Sequence, residues 1–157
     1  MSLLSSSFFA LIGIFVALYA LYIEHRKAED DGYEALCDTK SFSCTKVLMS
    51  EYGHILSKWG IVAMGSRFDV PNPILGLAFY GLVLAQSPLG LPRFLVFAAA
   101  LGSLLFSLYL AGILYFVLHD VCVVCVSSYV CNGAIFFFEV RAALQADYPQ
   151  HRKEKRP

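Results

Sequence analysis

Charge is what this chain lacks. Only 15% of its 157 residues are charged, no Asp, Glu, Lys or Arg precedes Glu24, and from Pro73 to His119 the sole exception is Arg93. Twelve basic and twelve acidic side chains cancel, which excludes the broad electrostatic field that recruits nucleic acid or an acidic substrate. Internal repeats and low-complexity tracts are also missing, which excludes a solenoid. The N-terminus carries no basic residue and no small-residue cleavage site, so the first apolar run reads as a retained helix rather than a signal peptide. What is present is apolar: 58% of the chain is hydrophobic, with nine Tyr and thirteen Phe and a mean hydropathy of +0.63. That is more aromatic mass than a soluble core of this size hides, whereas lipid accepts it along helix faces and interfaces.

The gaps between charges define the elements. A hydrocarbon core about 30 Å thick takes ~20 apolar helical residues. Residues 3–23, 74–89, 91–118 and 121–140 supply four such runs, with the turn signals of Ser87, Pro88, Gly90 and Pro92 between the second and third. The expected fold is an all-α integral membrane protein, a four-transmembrane-helix bundle forming one domain over residues 1–157. A loop or cap at residues 24–73 joins the first two spans, and residues 141–157 form a tail on the other side with both termini. Lys and Arg divide equally between the two sides, so the positive-inside bias gives no orientation.

The chemistry lies in five cysteines, Cys37, Cys44, Cys122, Cys125 and Cys131. Cys122 and Cys125 form a C-x-x-C, a spacing used for haem attachment, metal clamps and redox exchange. Val126 stands where haem attachment needs a His. Cys37 and Cys44 do not form the compact knuckle of a four-thiolate zinc site, and plain packing as small hydrophobes is the bland alternative. Position favours redox exchange. Asp120 is a candidate cap for the last helix, which puts Cys122 in its first turn, where free N–H groups and the helix dipole suit an accessible, exchanging thiolate. At about 100° per residue, Cys122, Cys125 and Tyr129 share one ~60° sector of that helix near Gly133, while Cys131 points away as a packing or lipid-facing residue. Cys37 and Cys44 sit on a polar loop expected to be mobile. A loop thiolate can attack a Cys122–Cys125 disulfide, leaving a mixed disulfide for the second loop cysteine to resolve. The alternative is a structural staple. Either role needs an oxidising compartment, which puts the loop in a lumen or periplasm.

Around these thiols, Leu48, Tyr52, Ile55, Trp59 and Val62 give residues 45–64 the stripe of an amphipathic helix, expected to lie on the membrane surface as a lid or a peripheral packing helix. Pro71, Asn72 and Pro73 open the second span, with Asn72 as helix cap or as a donor to a substrate carbonyl at the depth of Cys122. Ser103, Ser107 and Ala111 repeat every four residues and let a neighbouring helix approach.

These motifs resemble the vitamin K epoxide reductases, membrane enzymes of the endoplasmic reticulum whose four helices are shared with bacterial disulfide-forming homologues. Tyr33, Ala35, Leu36, Cys37 and Asp38 resemble the family's Y-x-A-L-C-D, and Ser43 with Cys44 its second loop cysteine. Asn72, Ile74, Gly76, Phe79 and Tyr80 resemble N-x-I-x-G-x-x-F-Y, and Cys122, Cys125 and Tyr129 resemble C-x-x-C-x-x-x-Y. The resemblance implies that Cys125 transfers electrons to a quinone, Cys122 completes the disulfide, Cys44 attacks Cys122 and Cys37 resolves. It implies that Asn72 and Tyr129 hydrogen-bond the substrate oxygens, with Phe79 and Leu48 in the substrate wall. It further implies vitamin K epoxide or quinone as substrate, no tightly bound cofactor or metal, thioredoxin-like oxidoreductases of the lumen or small thiols as reductant, coumarin-type inhibitors as competitors, and cytosolic termini. Two other functions fit the same residues: a quinone-coupled oxidoreductase that makes disulfides in other proteins, and a non-enzymatic four-span scaffold with structural disulfides.

Overall fold

The computed structural model describes residues 2–39 and 42–154 and is all-helical over them. Lys40 and Ser41 of the expected redox loop, and residues 155–157 of the tail, lie outside the described residues. In chain order the elements are α1 (Ser2–Glu29), α2 (Cys44–Leu48), a 3-10 turn (Glu51–Gly53), α3 (Ile55–Lys58), α4 (Asn72–Leu89), α5 (Arg93–Ile113), a π turn (Leu114–Leu118) and α6 (Val123–Glu154). α1 packs on α4 and α6, and α5 on α6.

Three helical stretches among the described residues have the length and hydropathy to cross a membrane: Leu4–Glu29, Arg93–Leu118 and Val123–Gln145. The fourth expected span, α4, is 18 residues long, opens on Asn72 and Pro73 and carries Gln86 and Pro88 near its end, so polar and breaker residues dilute its apolar character. Phe8, Phe15, Leu105, Leu108 and Phe137 are all more than half exposed on the outside of the bundle. Surfaces of that kind are at home in acyl chains rather than water. The chain is a multi-pass membrane protein.

Two helices outrun their expected limits. α1 continues past residue 23 because Arg26 and Glu29 pair one turn apart and the basic Arg26 and Lys27 complement the dipole of its last turn. α6 runs through the tail to Glu154, so the polar segment after residue 140 is helical. Inside the bundle, small residues bring helices together. A Cβ on Gly13 of α1 would lie 2.4 Å from the Tyr80 ring of α4, so only glycine admits that crossing. The buried Ser6 hydroxyl donates to Glu139 at 2.8 Å and ties α1 to α6.

The expected continuous lid helix over residues 45–64 is not formed. The chain breaks instead into α2, the 3-10 turn and α3, with residues 59–71 irregular. Gly53 explains the break: the Leu48 carbonyl comes so close that a Cβ there would sit 2.1 Å from its oxygen. The lid folds back on itself over the ends of α1, α4 and α5.

Candidate active site

The start of α6 sets the first thiol. The Val126 N–H donates to the Cys122 carbonyl at 2.9 Å, so Cys122 is the residue that opens the helix. Its own sulfur accepts the Cys125 N–H at 3.2 Å, the bond a capping side chain makes to the third helical amide. Cys122 is therefore its own helix's cap, and Asp120, expected in that role, is engaged elsewhere. Asp120 pairs with Lys46 of α2. The hydrogen bond from Lys46 holds the Asp120 carboxyl below the usual carboxylate range, with Ser43 adding to it against a desolvation cost.

Cys122 is fully buried, which corrects its expected exposure. What covers it is the loop pair. Cys44 is equally buried in the same apolar cluster, with Ile23, Val47, Leu48 and Val124, and Cys37 packs against that cluster. The Ser43 N–H donates to the Val121 carbonyl at 3.0 Å, which joins the backbone one residue before Cys44 to the backbone one residue before Cys122. Cys37 and Cys44 form a disulfide, while Cys122 and Cys125 are free thiols. The described part of the loop is pinned rather than loose, and Asp38 is the pin: its carboxylate accepts the Ala35 N–H at 2.9 Å, the Thr45 N–H at 3.0 Å and the Thr45 hydroxyl. Desolvation opposes that charge, but the Thr45 and Ala35 hydrogen bonds outweigh it and hold the carboxyl below its ordinary range.

One turn into α6, half-buried Cys125 opens on an apolar cavity of about 360 Å³ enclosed by α1, α4, α5, α6 and the lid. Four of the five lid-stripe residues line it, Leu48, Tyr52, Ile55 and Trp59, although the helix that was to carry them is broken. Tyr129 lines it as well. Asn72 lines it and does not cap α4, whose preceding residue is Pro71. Instead the Asn72 Oδ1 accepts the Ile55 N–H at 3.2 Å and its Nδ2 donates to the Tyr52 carbonyl at 2.6 Å. One side chain thus staples the lid to α4 and keeps a second N–H of its amide in hand. Phe79 is not in the cavity wall. It packs with the inner cluster around Tyr80, because a 100° step along α4 gives the cavity face to Tyr80 instead. Cys131 is a buried packing residue of that inner cluster, not a lipid-facing one.

Sequence reasoning passed over Asn132, and read Ser103 and Ser107 only as helix-packing residues, yet all three line the cavity. The signal was present. Asn132 follows Cys125 and Tyr129 at helical spacing on one face, and an amide inside an apolar span marks a site by default.

The vitamin K epoxide reductase family profile matches residues 5–140. The chain belongs to the vitamin K epoxide reductase family. It is 34% identical over 155 residues to vitamin K epoxide reductase complex subunit 1 of Mus musculus, covering 92% of this chain and 89% of that protein. Against the Rattus norvegicus protein of the same name it is 33% identical with the same coverage. As a member of this family the chain is a membrane oxidoreductase, which sets aside the reading as a non-enzymatic scaffold.

Proposed function

We propose that this protein reduces vitamin K 2,3-epoxide to the quinone, and the quinone to the hydroquinone, at Cys122 and Cys125, and that Cys37 and Cys44 recharge that pair. One observation carries the reading: a free thiol, Cys125, opens on an apolar cavity with Tyr129 and Asn72 in its walls, while the buried partner thiol is backed by the loop disulfide. A lipid-soluble ring needs such an apolar site, and a soluble reductant needs the other pair near water.

In the proposed cycle the Cys125 thiolate adds to a ring carbon. Cys122 then attacks the Cys125 sulfur, the carbon–sulfur bond breaks, and its electron pair passes to the ring as the Cys122–Cys125 disulfide forms. With the epoxide, the oxygen leaves as water carrying the two thiol protons. With the quinone, the same two protons complete the hydroquinone. Asn72 and Tyr129 donate hydrogen bonds to the oxygen on which negative charge develops. Cys44 next attacks Cys122, and Cys37 closes on Cys44, which regenerates the reduced pair. Cys37 is half-buried beside the fully exposed Leu36, the side from which a lumenal thioredoxin-like oxidoreductase or a small thiol delivers electrons.

In this reading α4 is the fourth span: at ~1.5 Å per residue its 18 residues reach about 27 Å, the thickness of a thin bilayer such as the endoplasmic reticulum's. Residues 24–73 face the lumen and both termini the cytosol. Coumarin-type inhibitors compete for the same cavity. The test is a dithiothreitol-driven assay of vitamin K epoxide, vitamin K quinone and ubiquinone with the full chain and with Cys125→Ala. Turnover of the two vitamin K substrates, abolished in the variant, is expected. Turnover of ubiquinone alone would move the protein to the disulfide-forming reading.

A further inference from the structure

The inner end of the cavity contains a hydrogen-bond acceptor with nothing to accept. The Ser107 hydroxyl of α5 donates to the Ser103 carbonyl at 2.8 Å, so toward α6 it can only accept. It accepts from the Asn132 Nδ2 at 2.8 Å. That one-way chain fixes the amide: its nitrogen points at α5 and its oxygen away from it. The nearest hydroxyl on the same helix, that of Ser128, is spent on the Val124 carbonyl at 3.1 Å. The Asn132 Oδ1 is buried and has no hydrogen-bond partner among the described residues, although Ser103, Ser107 and Asn132 all line the cavity. An unpaired buried acceptor is costly and rare in folded proteins, and here it adjoins the substrate space.

We infer that Asn132 sets specificity within the reaction series: its Oδ1 accepts a hydrogen bond from a ring hydroxyl, so the inner end of the cavity favours the reduced, hydroxyl-bearing ring over the carbonyl form. The inference rests on the reductase reading above. Asn132 stands one turn beyond Tyr129 and two beyond Cys125, and helical side chains lean back toward the N-terminus. A ring with one oxygen at Asn72 and Tyr129 therefore directs its opposite oxygen toward Asn132. A carbonyl there faces an acceptor and gains nothing, whereas a hydroxyl supplies the missing donor. The two ends differ in sense, donors near Cys125 and an acceptor inside. The hydroquinone is held preferentially, and reduction of quinone to hydroquinone is favoured over reduction of epoxide to quinone, whose product bears no hydroxyl.

The chain's single tryptophan, Trp59, lines this cavity, so quenching of its fluorescence reports binding. The experiment uses the full chain in nanodiscs with Cys125→Ser to prevent turnover, and titrates menadione and, without oxygen, its hydroquinone. Asn132→Leu keeps the bulk and removes the acceptor. It is expected to weaken hydroquinone binding about tenfold, the scale of one buried hydrogen bond, and to change menadione binding less than about twofold. Ser107→Ala, which releases the amide to turn over, is expected to lower the preference for hydroquinone over menadione severalfold, and it carries the test if Asn132→Leu does not fold. Equal weakening of both ligands, or an unchanged preference in the folded variants, overturns the inference and leaves the reductase reading standing. No quenching by menadione in the Cys125→Ser protein overturns the reductase reading and this inference with it.

Discussion

Cys122 has two tasks that one substitution can separate. It caps α6 through its sulfur, and it supplies the buried half of the dithiol. Serine keeps a capping oxygen and loses the thiol; alanine loses both. Cys122→Ser is expected to unfold like the unsubstituted protein with no turnover, and Cys122→Ala to lose in addition about 1 kcal/mol of stability, the usual worth of a cap, by thermal unfolding in nanodiscs. Identical stability in the two variants would remove the capping role. Tyr129 has no such second task, since its hydroxyl makes no protein hydrogen bond among the described residues and faces the cavity. Tyr129→Phe is expected to lower kcat/KM about tenfold, one hydrogen bond's worth, with unfolding unchanged. Unaltered kinetics would return Tyr129 to the packing role that an interfacial aromatic fills in many membrane proteins.

At the scale of elements, the loop between α1 and α4 is where local reading and structure part. Its residues promised one amphipathic helix and one loose shuttle. The chain instead forms short turns locked by Asn72 on one side and Asp38 on the other. Neither lock follows from periodicity, because each is a side chain reaching backbone groups far along the chain. The Asp38 lock has a pH consequence. Its carboxyl is held below the ordinary range, so its contribution is complete above the unfolded carboxylate value of about 4 and disappears as pH falls through the lower folded value. Slow hydrogen exchange at the Ala35 and Thr45 amides is expected from pH 5 upward and faster intrinsic-rate-corrected exchange only in stronger acid; Asp38→Ala should exchange fast throughout. Protection that fades near neutrality would assign the lock to another group.

At the scale of the whole molecule, two redox pairs are stacked across a boundary: the loop pair on the watery side, Cys125 on the cavity side, and Cys122 sealed between them. No soluble reductant reaches Cys122 directly, since both it and Cys44 are fully buried. Cys44→Ala is therefore expected to lose turnover by at least about a hundredfold with a thioredoxin-like protein reductant, and to keep it with a small dithiol that enters through lipid. The magnitude follows from removing an obligatory thiol rather than one contact. Equal loss with both reductants would count against a relay.

The amino-acid sequence by itself determined the solvent, the helical class and the reacting thiols. Uncharged runs of span length admit few other solutions in lipid, where every backbone amide must be paired within its own segment, and C-x-x-C with a tyrosine one turn on puts Cys125 and Tyr129 on a shared helix face whatever surrounds them. Only the tertiary structure decided which thiol is sealed and which is open, that Tyr80 rather than Phe79 meets the cavity, that Asn72 staples the lid, and that Asn132 holds an unpaired acceptor at the inner end. Each of these depends on where a second helix or a returning loop lies. Period and propensity describe one segment at a time, and burial and hydrogen-bond pairing arise only between segments.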